Sequence, residues 1–324
     1  MHTKTDLSPE IIEKIQLLQE KYSSVGQDLV SYLDGLLYAD FLTYWDYINL
    51  DTLLTLQQPK TPFPDEEIFI IYHQITELYF KLSMNEFKRL KIESEKGSVN
   101  TEFLHERVRR INRYFEALTH SFNIMVDGMD QAEFLQFRMS LLPASGFQSG
   151  QYRKIEICST SLDRIVHKDI REKYADHNKS DIPNLAKHLY WREGAIEVKT
   201  GKKTLTLRQF EDKYDLEFLE LAKEFFNCNI RSLSREVQMT DELKQAMRWL
   251  DVNVNINWPL MHYKSAIRYL QKDVEDIAAT GGTNWQKYLP PRFQKRIFYP
   301  ELWTDEELTE WGKGWVKREV FGIK

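Results

Sequence analysis

Two of the eight histidines stand apart by their surroundings. His73 lies in FIIYHQITELYF, the least polar helical stretch of the chain, and His262 lies in NWPLMHYKSAIRYL beside Leu260, Met261, Tyr263 and Ala266. At about 100° per residue, Phe69 and Phe80 fall within roughly 40° of His73 on a helical wheel. An imidazole so placed is either a core histidine bonded to a backbone carbonyl, or a neutral ring offering a nitrogen to an indole or phenol. For His262 the chemical alternative to a core role is ligation. Imidazole is the commonest protein ligand to haem iron, and an apolar shell without competing ligands suits a proximal histidine. His105, His120, His167, His177 and His188 have charged or polar neighbours and read as surface residues. No pair has the H-x-x-x-H spacing of a zinc site.

A third element is the weakly helical segment Leu141-Leu142-Pro143-Ala144-Ser145-Gly146-Phe147-Gln148-Ser149, which follows Phe137-Arg138. Small residues between two helices allow a ligand close approach to the backbone. Arg138, just before this loop, is either a clamp for a carboxylate through two parallel hydrogen bonds or a member of an ordinary ion pair. Thr280-Gly281-Gly282-Thr283 holds the one Gly-Gly of the chain. It reads as a helix end followed by a turn, or as a mobile lid carrying hydroxyls. It lacks the G-x-x-x-x-G-K-[ST] phosphate pattern.

The elements that must position these residues are helices. Ser8-Pro9-Glu10 and Thr240-Asp241-Glu242 are helix starts, and Thr304-Asp305-Glu306-Glu307 is a capping box opening a last helix through about Val316. No Gly or Pro interrupts Asp65 to Lys91, and apolar residues surround much of that circumference, which predicts a buried helix. Residues 195–207 are the exception: alternation about Gly201 suggests a small hairpin, and a helix start at Thr206 can share that boundary. The 324 residues include 42 aromatic side chains (16 Tyr, 18 Phe, 8 Trp) but 13 Gly and 10 Pro, too few for a many-turned β architecture. Length alone allows two domains, yet one large all-α domain over 1–324 is the better account. A net charge of −5 supplies no basic field for nucleic acid or an anionic membrane, and no stretch is long enough to cross a bilayer. Two cysteines and no signal-peptide pattern point to the cytoplasm.

LTYWDYINLDTLLTLQQP, FIIYHQITELYFKL, FRMSLLPASGFQSGQYRKIE, WPLMH, TGGT and FYPELW occur here in the order found in tryptophan 2,3-dioxygenases. The chain resembles that family from about Asp40 to Trp303, least so in its middle. The resemblance implies an all-helical homotetramer that binds haem b non-covalently and inserts O2 across the indole C2–C3 bond of L-tryptophan, giving N-formylkynurenine, the first step of the kynurenine route. It also implies roles. His262 is the axial ligand to the haem iron, which is ferrous in the active form, and His73 is the distal residue that hydrogen-bonds the indole N–H. Arg138 binds the substrate carboxylate, Thr280 its ammonium group, and Phe69 packs on the indole. Ser145 and Gly146 line the distal haem pocket, while Tyr44 and Tyr47, in an N-terminal region of about 36–60, serve a neighbouring subunit's site.

Three positions differ from the family's pattern. Phe134 stands where a tyrosine usually assists carboxylate binding, Tyr79 replaces the usual tryptophan, and the interval from His262 to Thr280 is longer by about one helical turn. They keep open a related histidine-ligated haem oxygenase acting on a substituted indole or another aromatic amino acid. Outside catalysis, the alternatives are a haem- or tryptophan-binding protein and a cofactor-free helical scaffold.

Overall fold

A computed structural model describes residues 7–174, 177–197, 200–272, 275–276, 291 and 295–313. Two compact units divide the chain, Met1–Gln57 and Gln58–Lys324. In the first, α1 (Pro9–Ser23) starts with Ser8 at its cap position and Pro9 in its first turn, as the sequence predicts. Asp28 caps α2 (Leu29–Leu37) by accepting from the Val30 and Ser31 amides, and Thr43 caps α3 (Tyr44–Ile48). Much apolar surface of this unit is exposed, including Leu36, Leu37 and Phe41, and Tyr44 and Tyr47 on α3 are exposed as well.

The second unit is built on α4 (Asp65–Glu95), α5 (Thr101–Ser121), α6 (Gln131–Phe137), α7 (Gly150–Ser159), α8 (Leu205–Glu224), α9 (Asp241–Val252) and α10 (Trp258–Leu270). α4 packs on α5 and α7, α5 on α9, and α7 on α8. The buried row of α4, Tyr72, Thr76, Phe80, Ser83, Phe87 and Leu90, recurs every three or four residues, as one helix face must. Across it lie Leu104, Val108, Ile111, Phe115 and Leu118 of α5, all fully buried. Glu86 is buried at the same junction, held by Arg107 at 2.9 Å and Arg110 at 3.2 Å. Removing either arginine would weaken the pairing of a buried carboxylate.

The prediction of a wholly buried α4 is corrected in part. Ile71, Ile75, Leu78 and Leu82 form a second apolar row at helical spacing that remains exposed among the described residues, so apolarity around the circumference serves two faces. Thr240 caps α9 and Thr304 forms its capping box, as expected. The helix that Thr304 opens, α11 (Asp305–Thr309), gives way to a turn in which Gly312 is left-handed at φ 72°, and Val316 lies outside the described residues. Among the described residues the predicted hairpin shows one bridge, between Ile196 and Lys203 around Gly201, and Thr204, not Thr206, caps the helix that follows. Among the described residues the one paired ladder is Gln271–Lys272 with Glu275–Asp276, so the fold is all-α.

Candidate functional site

The sequence places His73 two turns into α4 and His262 in the second turn of α10. Both rings are held in the same way. His73 Nδ1 lies 2.7 Å from the Phe69 carbonyl, and His262 Nδ1 lies 3.0 Å from the Trp258 carbonyl, each four residues back on its own helix. A carbonyl only accepts, so each Nδ1 carries the proton and donates it, and each Nε2 keeps its lone pair. Core packing alone would be satisfied by either tautomer. This arrangement leaves a basic nitrogen aimed away from the helix.

The two environments reinforce neutrality. Burial pushes the His262 pKa down to about 4, and the nearby His73 adds to the effect. Burial also lowers the His73 pKa, against the opposing pull of the Phe69 carbonyl and of Glu77 one turn along the helix. Phe122 and Trp258 each stand 4.6 Å from the His262 ring, centroid to centroid. Phe122 bridges the two helices, its ring 5.6 Å from Tyr72 beside His73 on α4 and 4.6 Å from His262 on α10.

These shifts fix a sign for stability. An unfolded histidine takes up a proton near its ordinary 6.5, whereas the folded His262 resists until about 4. Between those values the unfolded state binds more protons, so stability falls as pH drops from 6.5 toward 4. The haem-free protein is expected to lose Tm across that window, and His262→Ala should make the loss shallower. Parallel Tm–pH curves for the two proteins would contradict this reading.

An aromatic wall adjoins His73. Phe69 lies 4.1 Å from the His73 ring, 5.8 Å from Phe137 and 6.4 Å from Phe134, and Phe134 in turn lies 4.7 Å from Tyr269. Arg138 follows Phe137 where α6 tightens into a single 3-10 turn, and it is only 5% exposed. Burial lowers its pKa, which still leaves a guanidinium at neutral pH. A site made of aromatic faces, one buried cation and neutral imidazole nitrogens can hold a flat ring bearing an anionic group and an N–H donor.

The loop of small residues is strapped rather than loose. Ser145 Oγ accepts from the Phe147 amide, Gln148 Nε2 donates to the Thr206 carbonyl, and Thr206 Oγ1 donates to the Pro143 carbonyl. A Cβ built on Gly146 would meet nothing within 4 Å, so open space faces that position. Where the loop enters α7, Gln151 Nε2 donates to both the carbonyl and the carboxylate of Glu77 at 2.8 Å, joining the loop's end to α4 one turn beyond His73.

His73, Phe69 and the Phe137–Arg138 corner thus come together, and Phe122 connects the Tyr72 neighbour of His73 to His262. Ser145 and Gly146 lie in the strapped loop, and Tyr44 and Tyr47 lie in the first unit. Thr280, Gly281 and Gly282 lie outside the described residues. His177 corrects the surface reading: its side chain is 6% exposed, with Nδ1 facing the Tyr174 carbonyl at 3.1 Å and Asp163 at 3.6 Å. Sequence reasoning missed Phe122 and Tyr269, which carry no local signal. It also missed the Phe69 and Trp258 carbonyls, whose common spacing four residues before each histidine was readable.

A sequence profile described as tryptophan 2,3-dioxygenase matches residues 37–187. The tryptophan 2,3-dioxygenase of Ruegeria sp. (strain TM1040) is 39% identical over 119 residues, covering 37% of this chain and 42% of that protein. Longer matches are more distant. The tryptophan 2,3-dioxygenase of Bacillus thuringiensis (strain Al Hakam) is 27% identical over 280 residues, covering 82% of this chain and 94% of the relative. The one from Pseudomonas fluorescens is 26% identical over 275 residues, covering 82% and 91%.

Proposed function

We propose that this chain is a member of the tryptophan 2,3-dioxygenase family, an oxidoreductase, and a haem b-dependent dioxygenase of L-tryptophan. The reaction inserts both atoms of O2 across the indole C2–C3 bond and gives N-formylkynurenine, the opening step of tryptophan catabolism by the kynurenine route. Substrate and O2 account for every atom of that product, so no external reductant is consumed. The observation that carries the reading is the pair of neutral imidazoles with Nδ1 tied to a carbonyl and Nε2 left basic.

That donor chemistry fits haem. His262, desolvated between Phe122 and Trp258, would hold the haem iron through Nε2. Haem, when bound, supplies the ferrous redox chemistry with dioxygen, and the protein supplies orientation. His73 Nε2 accepts the indole N–H, Phe69 packs on the ring, and Arg138 pairs with the carboxylate. Thr280 receives the ammonium group, and Ser145 and Gly146 line the distal pocket. Burying a zwitterion requires partners for both charges, which is how a free amino acid is preferred over plain indole. Tyr44 and Tyr47 complete a neighbouring subunit's site in a cytoplasmic homotetramer. The exposed row Ile71, Ile75, Leu78 and Leu82 and the apolar surface of the first unit support self-association.

A second reading, a substituted indole or another aromatic amino acid as substrate, is favoured by Phe134, which presents a ring and no hydroxyl between Phe69 and Tyr269. One experiment decides. Ferrous protein prepared with adequate haem is expected to show a Soret band that shifts on adding L-tryptophan, and to form N-formylkynurenine with O2. Turnover of an indole derivative without formylkynurenine would select the second reading. Absence of a Soret band would reject both.

A further inference from the structure

α9 does not run straight into α10. Between them Asn253–Asn257 form a π-helical turn, in which the Trp258 amide donates to the Asn253 carbonyl five residues back. Such a turn accommodates one residue more than an α-helical turn, so it rotates everything after it by about 100° relative to an uninterrupted helix. His262 lies one turn beyond. The direction in which its ring leaves α10, relative to the buried face of α9, therefore depends on the wide turn persisting.

Widened turns are intrinsically rare and need support from outside the helix. Three sets of contacts converge here. Asp251 accepts from the Phe298 and Tyr299 amides, from Trp303 Nε1 and from Asn255 Nδ2. Asn257 donates to Asn253, and Asn253 donates to Asn112 on α5. The third contact differs in kind, because it takes a backbone carbonyl of the turn itself. Tyr152 Oη donates to the Val254 carbonyl at 2.9 Å, while Arg296 Nη1 donates to the same hydroxyl at 3.2 Å. With the arginine occupying the acceptor side, the phenolic proton has one direction to point, toward Val254.

We propose that the Tyr152 hydroxyl is a positioning group for His262: by taking the Val254 carbonyl it holds the π-helical turn open, and that turn aims the imidazole. This rests on the reading of His262 as the haem ligand. Tyr152→Phe tests it with little change of shape, since the ring stays packed at 5.7 Å from Phe80. Tyr190→Phe is the control. Its hydroxyl is equally buried in the same network, donating to Glu156 and accepting from Arg153 and Arg296, and none of these contacts is with the turn.

Amide hydrogen exchange over residues 253–262 is measured on the holoprotein and the haem-free protein, with ferric haem titration and the ferrous iron–imidazole stretching band as ligand readouts. In Tyr152→Phe exchange in that stretch should quicken about tenfold, the loss expected when a buried carbonyl goes unpaired. Haem should bind more weakly, with a shifted or broadened stretching band. Tyr190→Phe should leave all three readouts near wild type even where its Tm falls. Wild-type exchange in Tyr152→Phe, or equal changes in both variants, would overturn the proposal, as would faster exchange with an unaltered haem affinity and band. Should the wild type bind no haem, the ligand reading fails separately, and the exchange comparison still decides whether the hydroxyl holds the turn.

Discussion

Replacing His262 by Ala is expected to strip the protein of haem. Its Nε2 is the basic nitrogen that the Trp258 hydrogen bond leaves available, in a ring kept neutral by burial. Changing an outer partner of a metal ligand already costs about 10–100-fold in affinity, so removing the ligand should cost more. Alanine is the best helix former, so α10 should persist by circular dichroism. Phe122 and Trp258 would then border a hole of ring size. Imidazole added to the solution has a place to enter, and a Soret band recovered with imidazole would assign the loss to ligation rather than to unfolding. Full haem content and full activity in His262→Ala would refute the assignment.

What could be read from the sequence was mostly local. The starts at Thr240 and Thr304 are made by a side chain and amides within the same turn, so residue identity suffices. The same holds for Asp65–Lys91, where no Gly or Pro breaks the helical run. The ends were harder. A turn with Gly312 in the left-handed region follows α11, yet a glycine in a sequence does not announce that it adopts that conformation. The open row on α4 was illegible for another reason, since composition around a helix cannot tell a face buried within the chain from one left for a partner. In the candidate site, the two histidines and Arg138 were visible as types in unusual surroundings. Phe122 and Tyr269 were not, because they reach the site from distant positions along the chain. The resemblance to the dioxygenases supplied roles that spacing left open.

The π-helical turn is the clearest case of information that sits between these levels. NVNIN alternates polar and apolar residues, a period of two that carries no sign of a widened helical turn. In the fold Asn253, Asn255 and Asn257 are all buried, and amide–amide bonds from Asn257 to Asn253 and from Asn253 to Asn112 satisfy part of their need. Buried amides of this kind are costly unless partnered, so they specify one arrangement of α5 and the α9–α10 junction. The helix that carries His262 is thus fixed by polar contacts as well as by packing.

Arg138→Leu should separate substrate recognition from haem binding. Arg138 is 5% exposed beside the aromatic wall of Phe69, Phe134 and Phe137, whereas His262 is on another helix, so the variant is expected to retain haem and its ferrous spectrum. An incoming amino acid must shed water from its carboxylate, and a buried guanidinium returns that loss through two charge-assisted hydrogen bonds. Without it the carboxylate is left unpaired, which costs about 2–5 kcal/mol, or about thirty- to several-thousand-fold in affinity. The penalty should fall on L-tryptophan alone. Plain indole has no carboxylate, so its binding should be the same in variant and wild type, measured by the spectral shift of the ferrous protein. Arg138→Lys should lie between, because a point charge replaces one of the two hydrogen bonds but not the planar fork. Equal weakening toward indole and tryptophan would show that the leucine side chain had disturbed the aromatic wall, and unchanged tryptophan binding would remove Arg138 from the site.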